Sequence, residues 1–476
     1  MTPLTPHCGT YPWEDAMLEQ MFALRTRGAT VGTEVLAGAT TFMVMAYIIF
    51  VNPAILSFAG MPGLSGQGPG FAPTLAATCL VAGIMTALMG LVTNYPFAMA
   101  SGMGLNAVVA FQLVAGLKLP WPAAMGVITL EGIIITVLVL TGFRTAVVDA
   151  IPLALKRAIG VGIGLFILFI GLYSGGLVKQ GTGIPVTLGD LTSPPTLVAI
   201  VSIALTTALM ALGFRGALLV GIVLSTGVAI AVNMLTAGKA FPTPGMAVLP
   251  SHLVALPDFS TIGAGLDFSV FVRVGVITAV MTIFAIMLSD FFDTMGTVIG
   301  VGGEGGWLDA RGQLPGINRV LLVDSLGAFL GGVAAASSAT TYIESAAGVA
   351  VGGRTGLTSL VTACGFFLAL FFSPLAAIVP PQATAGALIV VGYLMCGIMR
   401  EIPFSDFEEG FPALATMVAM PLTYSITNGI GTGMLLYAFI KIIRGKAHEL
   451  SPTLCIVALA FLVYFVEPWL VQVLAF

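Results

Sequence analysis

The chain has 476 residues, of which 58% are hydrophobic and only 8% are charged, and its formal net charge at pH 7 is -4. So few polar residues cannot cover the surface of a soluble globular protein. The acidic balance also provides no basic face for nucleic acid. The composition therefore excludes a soluble domain and predicts an all-α polytopic membrane protein that has the lipid bilayer as its solvent.

The reactive side chains are sparse and scattered. The five cysteines form no CxxC pair, which indicates neither a disulfide framework nor a zinc site. His7, His252 and His448 all fall outside the apolar segments. No P-loop, HExxH or GxSxG signature is present. We therefore expect no metal and no cofactor, and proton chemistry at membrane depth must use carboxylates.

The hydropathy pattern predicts seven membrane spans on each side of a polar, proline-bearing connection, if about 20 apolar residues make one crossing. The first set lies near 33–57, 73–93, 96–116, 120–142, 154–176, 194–213 and 215–235. The second set lies near 271–300, 317–336, 338–352, 355–378, 383–400, 409–425 and 427–444. The segment 453–474 is left over: either it is an extra helix, or the division at 425–427 is wrong.

The basic residues agree with this count if the N-terminal segment is cytoplasmic. Of the 17 lysines and arginines, only Lys118, Lys179, Lys239 and Arg273 would then lie outside. An odd number of spans per half reverses the orientation of the second half, which is the condition for an inverted repeat. The predicted parts are a cytoplasmic N-terminal segment, a first repeat, an external connection, a second repeat and a C-terminal apolar segment, at 1–32, 33–235, 236–269, 270–444 and 445–476.

The strongest functional signal is a pair of acids in the eighth apolar segment. Asp290, Asp293 and Thr294 stand at i, i+3 and i+4, so they project from one face of a helix. A charge buried in lipid costs about 2.5–3.5 kcal/mol on insertion scales, so such acids usually face a partner, a substrate or water. With Phe291 beside them, they suit a flat heteroaromatic ligand that donates hydrogen bonds. Asp290 is favoured because it lies deeper in the apolar run; the alternative is an acid that caps a broken helix or pairs with a neighbouring hydroxyl.

A third acid interrupts the tenth apolar segment. The run TTYIESAAG from Thr340 predicts a short extended stretch that turns into a half-helix, whose positive end would point into the membrane. Glu344 could exchange a hydrogen bond to a ligand for a proton, or it could cap the half-helix. Thr341 and Ile343 precede it and are included among the candidate substrate-binding residues.

Two polar residues in the first half are further candidates. Asn106 lies in GMGLNAVVAF, where its amide could read the edge of a purine or pyrimidine or form an interhelical hydrogen bond. Glu131 lies in VITLEGIIITVLVL and belongs either to a proton path or to a helix interface. The candidates for proton coupling are therefore Glu131, Asp290, Asp293 and Glu344.

Together the motifs resemble the nucleobase/ascorbate transporters, and within them the adenine/guanine/hypoxanthine permease branch. The resemblance rests on TEVLAGATTFMVMAYIIFVNPAIL from Thr33, ASGMGLNA from Ala100, GDLTSPP from Gly189, DFFDTMGT from Asp290, LPGINR from Leu314 and TTYIESAAGVAVGGRTGLTSL from Thr340. It implies about 14 transmembrane segments in two inverted seven-span repeats, with short β-strands in spans 3 and 10. It also implies a core domain that carries substrate and a gate domain that often forms a homodimer.

By motif position, the resemblance implies that Asp290 and Glu344 hold the base, with Asn106 as the third-span contact. Relatives that carry uracil or xanthine usually have a glutamate followed by a histidine-containing motif in the eighth span, so Phe291 and Phe292 after Asp290 favour the purine branch. The predicted function is import of adenine, guanine or hypoxanthine by proton symport, with the core moving against the gate in an elevator or rocking motion. The alternatives are a sulfate-like anion transporter of the same fold, a channel, and a membrane-embedded hydrolase.

Overall fold

Helices make up most of the structure, a computed structural model that describes residues 18–59, 64, 66–141, 151–243, 245–309 and 313–474. Ten of the helices in these ranges are long and apolar enough to cross a membrane. Much of the predicted N-terminal segment, residues 1–17, lies outside the described ranges. The chain is a multi-pass membrane protein.

The elements of the first half follow the apolar segments in chain order. They are α1 (Val31–Met45), α2 (Ile48–Leu56), α3 (Phe71–Thr93), β1 (Met99–Ser101), α4 (Met103–Ala107), α5 (Trp121–Thr141), α6 (Leu153–Ser174), β2 (Val178–Lys179), β3 (Thr187–Leu188), α7 (Pro194–Ala211) and α8 (Ala217–Leu235). A π-helix over Val108–Gly116 continues α4. The break between α1 and α2 leaves Tyr47 at their junction.

The second half repeats the same pattern of long and interrupted helices. Its elements are α9 (Val270–Arg273), α10 (Val276–Glu304), α11 (Ile317–Val333), β4 (Ala339–Thr341), α12 (Ser345–Ala350), α13 (Gly356–Ala369), α14 (Ser373–Ala377), α15 (Pro381–Met395), α16 (Phe407–Thr423), α17 (Ile426–Ile443) and α18 (Pro452–Leu474). Short 3₁₀ turns lie at Ala264–Leu266, Leu370–Phe372, Cys396–Glu401 and Ala447–Glu449.

A break between two helices lies at 425–427, where the sequence is compatible with either one helix or two. Tyr424 ends α16 in the left-handed conformation, with φ 52°. Ser425 then caps α17, because its hydroxyl oxygen accepts a hydrogen bond from the N–H of Asn428 at 3.1 Å. The last apolar segment is a separate helix, α18, which packs against α17 and α10.

Two short strands meet in the interior. Strand β1 pairs antiparallel with β4, with Met99 opposite Thr341 and Ser101 opposite Ala339. All residues of both strands are buried. Backbone groups without water must find partners inside the protein, and this pairing supplies them where the helices are interrupted. A residue from each half of the chain thus contributes to every rung of the ladder.

The long helices pack in two groups. The first bundle contains α1, α3, α5, α10, α11, α12 and α13, and the second bundle contains α6, α7, α8, α15, α16 and α17. Glycines bring the backbones close: a Cβ at Gly392 of α15 would lie 2.5 Å from the carbonyl oxygen of Gly164 on α6. Close approach through small residues is the usual means of helix association in membranes, where lipid gives no hydrophobic driving force.

Candidate functional site

A cavity of about 640 Å³ lies between the two bundles. Asp293 of α10 and Glu344, which precedes α12, line it from the first bundle. Lys156 of α6 and Val391 of α15 line it from the second. The exposed Arg215 between α7 and α8 is also part of the lining, so the cavity reaches the surface where α7 ends and α8 begins.

Glu344 is held by a tyrosine from the other half of the chain. The hydroxyl of Tyr47 donates a hydrogen bond to Glu344 Oε1 at 2.8 Å. Tyr47 is 1% exposed and lies at the α1–α2 junction. Glu344 is the N-cap residue of α12, but its side chain makes no capping hydrogen bond. Its carboxylate is therefore directed at Tyr47 and the cavity rather than at the end of its own helix.

A buried carboxylate connects the two segments that carry the lining acids. Asp324 of α11 is fully buried, and its Oδ2 accepts a hydrogen bond from the hydroxyl of Thr294 at 2.7 Å. Its Oδ1 accepts hydrogen bonds from both the N–H and the hydroxyl of Thr341, each at 2.9 Å. Thr294 follows Asp293 in α10, and Thr341 lies three residues before Glu344. Asp324 thereby fixes the two acids relative to each other.

The strand ladder is fixed from its other side by Asn52 of α2. Its side-chain NH2 nitrogen lies 2.8 and 3.0 Å from the hydroxyl oxygens of Thr78 and Ser101 and 3.1 Å from the carbonyl oxygen of Ala336, so its two hydrogens are shared among three acceptors. The hydroxyl of Tyr342 donates to the carbonyl oxygen of Ser101. These hydrogen bonds tie the strand ladder to α2 and α3, so the interrupted segments present their side chains from a fixed support.

The residues predicted from the sequence divide into two sets. Asp293, Ile343 and Glu344 line the cavity, and Ile343 is 45% exposed. The others are buried and are not among the lining residues: Asn106, Glu131, Asp290, Phe291, Thr294 and Thr341. The cavity side of α10 is the face that carries Asp293, Gly296 and Thr297. Asp290 lies one turn away, where the helix is covered by its neighbours.

Asn106 lies in α4 and is fully buried. Within the described ranges, neither atom of its side-chain amide has a hydrogen-bond partner. The interhelical hydrogen bond considered as one reading of Asn106 is therefore not formed by these residues. Nor does the described part of the chain contain a group of three or more histidines, cysteines or acids arranged to hold a metal ion.

The charge along the cavity changes sign. Two acids lie on its first-bundle wall, and the basic residues Lys156, Arg157 and Arg215 lie where it approaches the ends of α6, α7 and α8. Arg157 pairs with Glu401 at 2.8 Å and also donates to the carbonyl oxygen of that residue at 2.7 Å. A neutral hydrogen-bonding solute suits the acidic wall better than an anion does.

Two solved structures share this fold. The transmembrane domain of a cyanobacterial bicarbonate transporter, BicA, superposes with a TM-score of 0.59 at 16% identity, covering 83% of this chain and 96% of that one. The murine Solute Carrier 26 family member A9 anion transporter, in its inward-facing state, gives a TM-score of 0.60 at 13% identity, covering 92% of this chain and 73% of that one. At these identities the likeness concerns the fold alone.

The sequence gives a closer relationship. A profile described as "Permease family" matches residues 32–432. A putative permease of Methanocaldococcus jannaschii is 39% identical, covering 94% of this chain and 98% of its own. An adenine permease of Escherichia coli is 39% identical (94% and 96% covered), and a guanine/hypoxanthine permease of Bacillus subtilis is 37% identical (93% and 99% covered). The chain belongs to this permease family, the nucleobase/ascorbate transporters, and is a permease rather than an enzyme.

Proposed function

We propose that this permease carries purine nucleobases, with Asp293 and Glu344 as the acids that hold the base. The observation that carries the proposal is that these two carboxylates, one on α10 and one directly before α12, line one cavity between the bundles. Relatives that match nearly the whole chain are named adenine and guanine/hypoxanthine permeases. The cavity volume of about 640 Å³ falls within the range of small-molecule sites.

The chemistry of the lining suits a purine. Ionised carboxylates only accept hydrogen bonds, and a purine offers ring N–H and exocyclic amino groups to them. Phe292 and Ile343 supply apolar surface against which a flat ring can lie. The remaining residues singled out in the sequence form the support of this site: Asp290, Phe291 and Thr294 on α10, Thr341 on β4, and Asn106 on α4.

We also propose that a proton accompanies the base. Two ionised acids in an empty cavity raise the free energy of the protein, because their charges repel each other and are partly removed from water. A proton on Glu344 or Asp293 would reduce that cost and let the loaded site cross as a more nearly neutral unit. Tyr47, hydrogen-bonded to Glu344, is placed to stabilise the carboxylate when the proton leaves. Asp290 and Glu131 are the other candidates for the proton path.

The motion that we propose is a displacement of the first bundle, as core, against the second bundle, as gate. The packing pattern supports two inverted repeats, 33–235 and 270–444, with seven spans each. The contact of α5 with α11 has its counterpart in that of α13 with α3, and the contact of α6 with α16 has its counterpart in that of α15 with α7. The N-terminal segment would be cytoplasmic in the cell membrane, with the cavity open to the inside, and the gate would form a homodimer.

Transport can be tested with purified protein in proteoliposomes. We expect uptake of labelled adenine, guanine or hypoxanthine that saturates and rises when the outside is more acidic than the inside. Glu344→Gln should abolish uptake, whereas Asp258→Asn, at an exposed acid of the external connection, should leave it unchanged. Failure of all three bases to be taken up would contradict the purine assignment, and uptake indifferent to the pH gradient would contradict symport.

An anion substrate is the second candidate, because proteins of this fold include a bicarbonate transporter and an anion transporter. Lys156 and Arg215 in the lining would favour an anion, but Asp293 and Glu344 would repel it. Competition separates the two candidates. Unlabelled hypoxanthine should compete with labelled adenine, and sulfate or bicarbonate in large excess should not.

A further inference from the structure

A second pocket, of about 460 Å³, lies at the C-terminal ends of α10 and α12, beside the start of α1, on the side that the basic residues predict as cytoplasmic. Arg27 before α1, Tyr95 after α3, Trp307 after α10 and Arg354 after α12 line it. It shares no lining residue with the cavity that contains Asp293 and Glu344. All of its walls belong to the first bundle or to the turns that connect its helices.

Both arginines of this pocket are fixed by backbone oxygens. Arg27 Nη1 donates to the carbonyl oxygens of Asn94 at 2.7 Å and of Arg354 at 3.1 Å. Arg354 Nη1 donates to those of Val349 at 2.7 Å and Gly353 at 2.9 Å. The ion pairs of the described residues include neither arginine. Two preordered guanidinium groups without an acid partner suit a phosphate, which their forked N–H groups match.

The aromatic residues give the same pocket a place for a ring. Tyr95 and Trp307 have ring centroids 5.3 Å apart and planes inclined by 49°. The hydroxyl of Tyr95 donates to the carbonyl oxygen of Pro315 at 3.0 Å, and the guanidinium of Arg27 lies 5.0 Å from the Tyr95 ring centroid. Tyr95 is 8% exposed and Trp307 is half-buried, so part of the indole is accessible from the pocket.

We propose that this pocket binds a purine nucleoside monophosphate, with its phosphate between Arg27 and Arg354 and its base against Trp307. The two sites would then separate ligands by charge: the acids of the cavity select a neutral base, and the arginines select a phosphorylated one. Since an imported base is consumed by transfer onto a ribose phosphate, the ligand of this pocket is the product of the reaction that uses the cargo. That link to the cargo rests on the proposed function, whereas the binding chemistry does not.

Occupation of the pocket would act on the transport site through two helices. The N–H of Trp307 donates to the carbonyl oxygen of Gly302 at 2.9 Å, within the last turn of α10. Arg354 is bonded to Val349 in α12. Asp293 belongs to α10, and Glu344 directly precedes α12. A ligand that ties these ends together restrains both acid-bearing segments, so bound nucleotide would inhibit transport.

Binding is tested by isothermal titration of the full-length purified protein with a purine nucleoside 5′-monophosphate, the free nucleobase and inorganic phosphate. We expect the nucleotide to bind at least about tenfold more tightly than phosphate, the difference that a stacked base supplies. Arg354→Gln should weaken nucleotide binding by about tenfold, the size expected for one charged hydrogen-bonding partner. Arg319→Gln, at an exposed arginine outside the pocket, is the matched control.

Because Arg354 also bonds the backbone, Thr26→Glu provides a second variant. Thr26 is exposed on the rim of the pocket. The change adds a negative charge, which repels a phosphate, and it removes no described side-chain contact. It should weaken nucleotide binding while the unfolding temperature stays unchanged. Equal affinity for nucleotide and phosphate, equal loss in Arg319→Gln, or undiminished binding in Thr26→Glu would overturn the site.

The remaining experiments distinguish nucleotide binding in this pocket from transport and from binding of a lipid headgroup. Glu344→Gln should lose uptake but retain nucleotide binding, and nucleotide trapped inside proteoliposomes, on the side of the pocket, should reduce uptake by the wild type but not by Thr26→Glu. Binding without this inhibition would overturn the regulatory role.

If purine uptake fails while nucleotide binding persists, the proposed function fails and the site stands. If anionic lipid in nanodiscs abolishes nucleotide binding and neutral lipid does not, a lipid headgroup is the occupant and the nucleotide proposal is overturned.

Discussion

At the scale of single residues, the two acids of α10 differ in what surrounds them. Asp293 lines the cavity, whereas Asp290, one turn earlier, is 0% exposed. The sequence places both on one helix face but contains no information on how far the neighbouring helices cover that face. Depth in an apolar run favoured Asp290, and the geometry of the cavity favours Asp293 as the residue that meets the cargo.

This difference leads to a paired prediction. Asp293→Asn should weaken purine binding by about 10- to 100-fold, because a hydrogen bond to a charged group is worth about 1.5–3 kcal/mol. Asp290→Asn should change the dissociation constant by less than about threefold, since its side chain does not line the cavity. Titration calorimetry with purified variants measures both. A larger loss of affinity in Asp290→Asn than in Asp293→Asn would return the substrate contact to Asp290.

Asp324 lies in the apolar run VLLVDSLGAF, where the sequence shows no partner for its carboxylate. The partners, Thr294 and Thr341, come from two other segments and meet only in the fold. In the sequence, the one sign that Asp324 has a role is its position in an otherwise apolar run, where an unpaired charge is costly. Asp324 acts through the residues that it holds, and so it is a positioning residue.

We expect Asp324→Asn to raise the KM for purine uptake while the protein still reaches the membrane. An asparagine presents only one acceptor oxygen, so the donors of Thr294 and Thr341 cannot both be satisfied as they are by the carboxylate. Ser325→Ala is the control, because among the described residues that buried hydroxyl bonds within its own helix, to the carbonyl oxygen of Leu322 at 2.8 Å. Equal KM values in wild type and Asp324→Asn would refute the positioning role.

At the scale of elements, most of the helices lie where hydropathy predicts them, because about 20 apolar residues per crossing is a strong constraint. The pairing of β1 with β4 joins residues about 240 positions apart, and no local pattern encodes that partnership. The turn before β4 also places Ala335 and Ser337 at φ 61° and 67°, which non-glycine side chains rarely adopt. Such strain persists only where the surrounding fold imposes it.

A glycine in a helix either allows close contact with another helix or faces open space, and the sequence does not distinguish the two cases. A Cβ at Gly132 of α5 would overlap the backbone of Phe329 on α11, whereas one at Gly227 of α8 would meet nothing within 4 Å. Gly132→Ala should therefore destabilise the protein by about 1–3 kcal/mol through overpacking. Gly227→Ala should be neutral or stabilising by up to about 1 kcal/mol, since alanine is the better helix former. Thermal unfolding of both variants in detergent measures the difference, and equal unfolding temperatures would contradict this packing.

At the scale of the whole molecule, α18 follows the fourteen segments that the sequence predicts as spans, and it packs on both α17 and α10. Phe461 is fully buried, and its ring lies 6.4 Å, centroid to centroid, from that of Phe284 on α10. The sequence leaves open whether this segment is an extra helix, and it does not indicate where the helix docks. A helix in this position joins the second bundle to the helix that carries Asp293.

Phe461→Ala should lower the stability of the protein by about 3–5 kcal/mol, the usual cost of removing a buried ring. Leu459→Ala is the control because Leu459 is 61% exposed and would face lipid. The unfolding temperature of the two variants in the same detergent is the measurement. A drop in Leu459→Ala as large as that in Phe461→Ala would indicate that α18 does not dock through Phe461.

The docking of α18 has a consequence for the resting protein. Two perfectly matched halves would give inward-open and outward-open forms of equal energy, each the upside-down image of the other. α18 packs on α17 and α10 and follows only the second half of the chain, so under the motion proposed above it would remove that degeneracy. One form would then be favoured before any cargo or ion arrives, and the two directions of the empty return step would proceed at unequal rates.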